Sequence, residues 1–128
     1  MRSRMVMAVL ATLVLATLAA APAAQAKAGD VIERGSCSGE STWKLKLSPE
    51  DGRIEVEFEV DQNVVGDAWR VRILHDGELV FRGRRTTEAP SGSFEVRILE
   101  PNHGGVDRFV GRARNPSTDE ACRGVATF

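Results

Sequence analysis

The sequence predicts an all-β domain built as an antiparallel β-sandwich of about seven strands, with a small closed barrel as the alternative. The clearest observation is residues 53–61, where apolar side chains alternate strictly with charged ones, as in a half-buried strand. The alternation returns over residues 69–74, just before an Asp-Gly turn. Clusters of turn-forming residues separate further short apolar runs, and no helical periodicity follows residue 26.

Residues 1–26 have the pattern of a signal peptide. Arg2 and Arg4 precede an apolar run over residues 5–21, and a small-x-small cleavage pattern ends at Ala26. The alternative is a membrane anchor, because a spanning helix needs about 17–25 apolar residues. The cleavage pattern favours export, so we expect a secreted, extracellular protein with no membrane span after processing.

The processed chain is expected to be one mildly acidic domain. The whole chain has 17 Lys and Arg against 18 Asp and Glu, and removing Arg2 and Arg4 leaves 15 against 18, a net charge of −3. Roughly one hundred residues are enough for one core without a metal. We expect residues 27–35 to form a flexible segment and residues 36–128 to form the β-sandwich.

Cys37 and Cys122 are the two cysteines of the chain and predict one disulfide, since an exported protein folds under oxidising conditions. Such a bridge would close nearly the whole domain, which the chain-entropy model values at about 4 to 5 kcal/mol. Two isolated cysteines do not form a structural zinc site.

The first two strands are expected at residues 36–47 and 53–61, joined by the turn at 48–52. Antiparallel pairing then places Lys44 and Lys46 opposite the glutamates of the second strand. The next hairpin has two possible registers. A three-residue loop at 75–77 sets Ile73 opposite Leu79 and keeps one face apolar, whereas a two-residue loop mixes the two faces. We therefore expect the three-residue loop.

Three more strands are expected at residues 93–99, 108–114 and 122–128. An immunoglobulin-like connectivity would bury Trp69 and join the strands at 69–74, 78–84, 108–114 and 122–128 in one sheet. The likeness is one of architecture and carries no function. The bridge also differs, because it would link the first and last strands.

The outer face of that sheet is the candidate binding surface. It would carry arginines that bind phosphate or carboxylate in a bidentate manner, which suggests an anionic cell-envelope polymer or an acidic protein as partner. Nucleic acid is disfavoured, since no aromatic side chain is interleaved for base stacking. The alternative is a solvated surface of locally paired charges. The candidate residues are Arg70, Arg72, Arg82, Arg108, Arg112 and Arg114, with Arg123 beside them.

No motif for catalysis is present, so we expect a non-catalytic binding or interaction module, with a small secreted enzyme as the alternative. His75 and His103 are expected to be solvent-exposed turn residues. The sequence predicts no cofactor and no metal-ligand set. Residues 61–67 offer three Asp and Asn side chains with oxygen ligands, which leaves a calcium turn open, but ordinary strand connections use the same residues.

Several further segments of the chain are distinctive. They are G-S-C-S-G at 35–39, T-W-K-L-K-L at 42–47, E-D-G-R-I-E-V-E-F-E-V-D at 50–61, A-P-S-G-S-F at 89–94 and R-A-R-N at 112–115. Together these segments resemble a group of small exported proteins from actinobacteria that have no assigned activity. The resemblance covers nearly the whole processed chain. It implies a bacterial origin, export and a shared β-domain, and it brings no catalytic residue to this sequence.

Overall fold

A computed structural model describes residues 27–128, and the expected signal peptide at 1–26 lies outside the described residues. The described part consists of strands joined by turns, and it contains no helix long and apolar enough to cross a membrane. The strands are β1 (Val31–Ser36), β2 (Thr42–Glu50), β3 (Arg53–Asp61), β4 (Ala68–His75), β5 (Glu78–Thr86), β6 (Ser93–Pro101), β7 (Arg108–Arg114) and β8 (Ala121–Thr127).

The strands form two four-stranded antiparallel sheets, with the orders β1-β2-β3-β6 and β5-β4-β7-β8. The all-β sandwich is therefore confirmed, and the two sheets do not close into a barrel. The second sheet contains the four strands that the sequence placed together, in the segments 69–74, 78–84, 108–114 and 122–128.

With strand β1, residues 27–128 contain eight strands instead of about seven, and β1 occupies much of the segment expected to be flexible. It pairs with β2 along its whole length, with Val31 opposite Leu47 and Ser36 opposite Thr42. Backbone hydrogen bonds to β2 order this segment although its polar sequence shows little alternation. The ion pair between Asp30 and Lys46, at 3.5 Å, also holds its start.

The apolar core lies between the two sheets, and Trp69 is fully buried in it. Gly111 and Gly124 are directly opposite each other on β7 and β8. Their missing side chains leave room for two rings from the facing sheet, since an ideal Cβ would lie 2.6 Å from Phe58 at Gly111 and 2.6 Å from Trp43 at Gly124. The other large buried side chains are Leu45, Leu47, Ile54, Val56, Val60, Val71, Ile73, Val96 and Phe109.

The predicted disulfide between Cys37 and Cys122 is confirmed. Cys37 follows β1 directly and Cys122 lies on β8, so the bridge links one sheet to the other across a sequence separation of 85 residues. Strand β2 starts only at Thr42, because residues 37–41 turn the chain, with the Cys37 amide donating to the Ser41 carbonyl at 2.9 Å.

The register predicted for the β4–β5 hairpin is wrong in its turn. Asp76 and Gly77 both have positive φ, 48° and 86°, as a two-residue type I′ turn requires. His75 is then opposite Glu78, and a register shift follows between Ile73 and Leu74. The shift sets Ile73 opposite Phe81 instead of Leu79. A bulge after a tight turn thus keeps one face apolar, which the expected three-residue loop would also have done.

Candidate functional site

Seven neighbouring arginines of residues 27–128 lie together on the outward face of the sheet β5-β4-β7-β8, and we call them the arginine array. They form two rows of cross-strand partners, in which each arginine lies directly opposite another on at least one side. All seven side chains are exposed. One row is Arg82, Arg72, Arg112 and Arg123, and the other is Arg84, Arg70 and Arg114.

The alternation of the strands produces this array. On β4, Trp69, Val71 and Ile73 point into the core, so Arg70 and Arg72 between them must point out. The same period applies on the neighbouring strands, and the bulge in β5 brings Arg82 and Arg84 to the outward side. The buried side of the sheet therefore fixes which arginines share the outer face.

The array is almost without acidic partners. Among residues 27–128, Arg114 forms the one ion pair of the array, with Asp119. The outer face of the other sheet is different, because its cations pair with glutamates: Lys44 with Glu59 at 3.4 Å and Arg97 with Glu57 at 2.8 Å. The predicted approach of the β2 lysines to the β3 glutamates is thus confirmed, whereas local charge pairing is not observed across the array.

Two shallow grooves lie on the array, one on each side of Arg70 and Arg72. The larger, of about 590 Å³, is bounded by the arginines of β7 and β8, and the smaller, of about 360 Å³, by Arg82 and Arg84 of β5. An elongated anion lying across the strands would contact guanidinium groups from all four of them.

Two residues change the predicted membership of this surface. Arg84 belongs to the array although the list of candidates omitted it. The sequence did indicate this, because Arg84 lies two residues after Arg82 and residues two apart on a strand share a face. Arg108 is on the same strand as Arg112 but about 13 Å further along. Between Arg108 and the array lies an outward row of aliphatic partners, Leu79, Leu74, Val110 and Val125.

The expectation that both histidines are solvent-exposed turn residues is wrong for His75. It is the last residue of β4 and is only 2% exposed. Its ring lies between the rings of Phe109 and His103, with both centroids 4.2 Å away. The turn is so tight that His75 still belongs to the strand, and β7 and the loop at 102–107 cover it. The His103 side chain is 52% exposed.

Three carboxylates surround these histidines, and we call the five residues the histidine cluster. Glu100 lies 3.1 Å from Nδ1 of His75, and Asp107 lies 2.5 Å from its Nε2. Asp76 lies 3.0 Å from Nδ1 of His103 and 3.5 Å from Nε2 of His75. Asp107 is fully buried. Among residues 27–128, no side-chain nitrogen of Lys or Arg forms an ion pair with these three carboxylates.

Hydrogen bonds perturb the two exposed members of the cluster. The bond to His103 and the amide of Arg108, which donates to Oδ1 at 2.8 Å, lower the pKa of the Asp76 carboxyl. The same bond to Asp76, with the charge of Asp107, raises the pKa of His103 above its usual value. Both shifts favour the ionised pair.

The side chains of residues 61–67 serve as hydrogen-bonding groups of an ordinary connection. Asp61 accepts from the amide of Asn63 at 3.0 Å. Gln62 donates to Asp67 at 2.7 Å and accepts from the indole of Trp69 at 2.9 Å. These bonds fix the loop between β3 and β4, and they engage one side-chain oxygen each of Asp61, Gln62 and Asp67.

Comparison with protein-family models, curated proteins and solved structures found no match.

Proposed function

We propose that the protein is an exported, non-catalytic binding module that holds an anionic cell-envelope polymer on its arginine array. The observation that carries the proposal is the placement of arginines directly opposite one another: Arg72 lies between Arg82 and Arg112, and Arg70 lies between Arg84 and Arg114. Like charges directly opposite each other destabilise a sheet. A bound anion would remove this repulsion.

The other sheet provides an internal comparison. There the same chain sets lysines beside glutamates, and its Lys44 and Glu59 are direct cross-strand partners. Residues 27–128 as a whole have 15 Lys and Arg against 18 Asp and Glu, a formal net charge of −3. Basic residues are thus not in excess in the domain. They are grouped on one sheet, where most of their guanidinium groups have no acidic partner among residues 27–128. Such a distribution attracts and orients anions.

The dimensions of the array suit a repeating anion. Neighbouring strands are about 4.8 Å apart, and the two rows are about 7 Å apart along the strands. Phosphate or carboxylate groups spaced along a polymer would each meet the planar fork of a guanidinium. An acidic protein is the second possible partner. A protein interface usually has aromatic side chains at its centre, and the array contains none.

Export and fold are further parts of the proposal. The disulfide supports an oxidising compartment, and the signal-peptide pattern at 1–26 supports secretion. The strand order β5-β4-β7-β8, with buried Trp69 on β4, supports an immunoglobulin-like arrangement. The resemblance to exported actinobacterial proteins is in line with both.

Retention on immobilised polyphosphate and on immobilised polyglutamate, across a salt series, tests the proposal. The oxidised protein is compared with a variant in which Arg70, Arg72 and Arg112 are changed to Gln. The matched control changes Lys27, Arg34 and Arg53 to Gln, which removes the same charge from the other sheet and its flanking turn. Circular dichroism and the reversible unfolding midpoint show that each variant is folded.

We expect retention of the parent and of the control that weakens with salt, and loss of retention in the array variant. Stronger retention on polyphosphate would point to phosphate polymers, and on polyglutamate to acidic peptide. If the parent flows through at low salt, the array is not a binding surface. If both variants lose retention equally, net charge alone accounts for the retention, and the array is again not a binding surface.

A further inference from the structure

The structure contains a second candidate site, at the end of the same sheet and independent of the arginine array. We propose that His75, Asp76, His103 and Asp107 bind a divalent transition metal ion of the zinc class. One ligand atom from each residue can be chosen so that all four lie within 4.8 Å of one another. His75 ends β4, Asp76 lies in the β4–β5 turn, and His103 and Asp107 lie in the loop between β6 and β7, far away in sequence.

Three of the six separations among these ligand atoms are close to those of tetrahedral coordination. A zinc ion bound at about 2.0–2.1 Å by nitrogen and oxygen has ligand atoms about 3.3 Å apart. Here Nδ1 of His103 lies 3.0 Å from Oδ2 of Asp76 and 3.4 Å from Oδ1 of Asp107. Nε2 of His75 lies 3.5 Å from Oδ2 of Asp76. The remaining short contact, His75 to Asp107 at 2.5 Å, would lengthen when an ion enters.

The charges favour a cation at this place. Glu100 accepts at Nδ1 of His75, so that nitrogen carries a proton, and Nε2 of the same ring faces the Asp107 carboxylate at 2.5 Å. A lone pair and a carboxylate at that distance repel each other unless a proton or a metal ion lies between them. With three carboxylates and two imidazoles, the cluster stays negative even when both rings are protonated.

An unsatisfied atom gives an independent indication. Asp107 is fully buried, and within residues 27–128 its Oδ2 has no hydrogen-bond partner. Burying a carboxylate oxygen without a donor is costly. The other oxygen, Oδ1, faces Nε2 of His75 and accepts from the His103 amide at 3.2 Å. An ion held by Oδ1 would place a positive charge beside the unsatisfied Oδ2.

The surrounding residues already orient the buried ligand. Glu100 at Nδ1 fixes the His75 tautomer that leaves Nε2 to bind a metal, which is the usual carboxylate–histidine–metal arrangement. Phe109 holds the ring from one side. The two imidazole planes are only 6° apart, so His103 must rotate for both lone pairs to converge. His103 is half exposed and precedes Gly104 and Gly105, which allow that movement.

The donor set selects the class of ion. Two imidazole nitrogens with two carboxylates suit zinc, cobalt, nickel and copper, whereas calcium and magnesium prefer six or more oxygens. Bound there, the ion would tie the β4–β5 turn to the loop at 102–107.

Titration of the oxidised protein with ZnCl₂, followed by isothermal calorimetry, tests the site, with MgCl₂ and CaCl₂ as comparison ions. The variants are Asp76→Asn and His103→Ala, both at exposed positions. Asp51→Asn is the matched control, since Asp51 and Asp76 each precede Gly in a turn and have φ values of 49° and 48°. Co²⁺ absorption reports the coordination geometry.

We expect one zinc ion per chain, Co²⁺ bands of a four-coordinate site, and affinity at least about tenfold weaker in Asp76→Asn and His103→Ala but not in Asp51→Asn. The imidazole NMR signals of both histidines should shift with zinc and not with magnesium. Absence of zinc binding at millimolar concentration, or equal affinity in all three variants and the parent, would overturn the proposal.

Discussion

Replacing Arg72 by Gln should increase the free energy of unfolding, although Arg72 belongs to the proposed binding surface. Arg72 has an arginine directly opposite on each side, Arg82 and Arg112. With guanidinium groups about 7 Å apart in water, each pair repels by about 0.6 kcal/mol. Removing one charge therefore relieves about 1 kcal/mol at 10 mM salt, where the screening length is about 30 Å.

Salt separates this electrostatic effect from any change in packing. At 1 M ionic strength the screening length falls to about 3 Å, so the relief should shrink to about 0.1–0.2 kcal/mol. The measurement is urea unfolding of the parent and of Arg72→Gln at both ionic strengths. Since the lost aliphatic stem affects both conditions equally, the difference between low and high salt isolates the repulsion.

Two controls bracket the result. Arg72→Lys keeps the charge and should keep the salt dependence of the parent. Arg97→Gln should have the opposite sign, because Arg97 pairs with Glu57 at 2.8 Å and this glutamate raises the pKa of the guanidinium. If Arg72→Gln gains no stability at low salt relative to high salt, the opposed arginines do not repel each other. A bound anion would then have no repulsion to remove.

Two further predictions concern the stability of the sandwich, one through its packing and one through its disulfide. Gly111→Ala should destabilise the fold by about 1–3 kcal/mol by overpacking against Phe58, whereas Gly104→Ala, with open space around its Cβ, should change the urea midpoint little. Reducing the bridge between Cys37 and Cys122 should lower the free energy of unfolding by about 4.5 kcal/mol for a loop of this length; an unchanged midpoint after complete reduction would contradict the prediction.

The sequence predicted the parts of the fold that depend on alternation. A period of two identifies which face of a strand is buried, so the sandwich, the strands of the second sheet and most of the arginine array could be derived. Strand β1 was missed because backbone pairing with β2 orders a segment with little apolar pattern. The turn of the β4–β5 hairpin was missed because a bulge shifts the pairing register between β4 and β5. The pattern of apolar residues along a strand does not reveal such a bulge.

The histidine cluster could not have been predicted in the same way. His75 and Asp107 are 32 residues apart, and their contact depends on the pairing of β4 with β7 and on the path of the loop before β7. The one local sign was that His75 directly precedes an Asp-Gly turn and therefore ends a strand. Whether a strand-terminal side chain is buried depends on what the neighbouring loop covers, which only the tertiary structure shows.

The array and the cluster lie toward opposite ends of β4, and this separation makes the two proposals independent. Arg72 and His75 are three residues apart, about 10 Å, and Leu74 and Val110 form part of an aliphatic row between the two sites. A metal ion at the cluster would be largely screened from the array at physiological salt, where the screening length is about 8 Å. Sites at such a distance that share no partner are expected to respond additively to substitution. Two separate sites on one sheet therefore require two results. Asp76→Asn should still be retained on the polyanion, and the array variant should still bind zinc with the affinity of the parent.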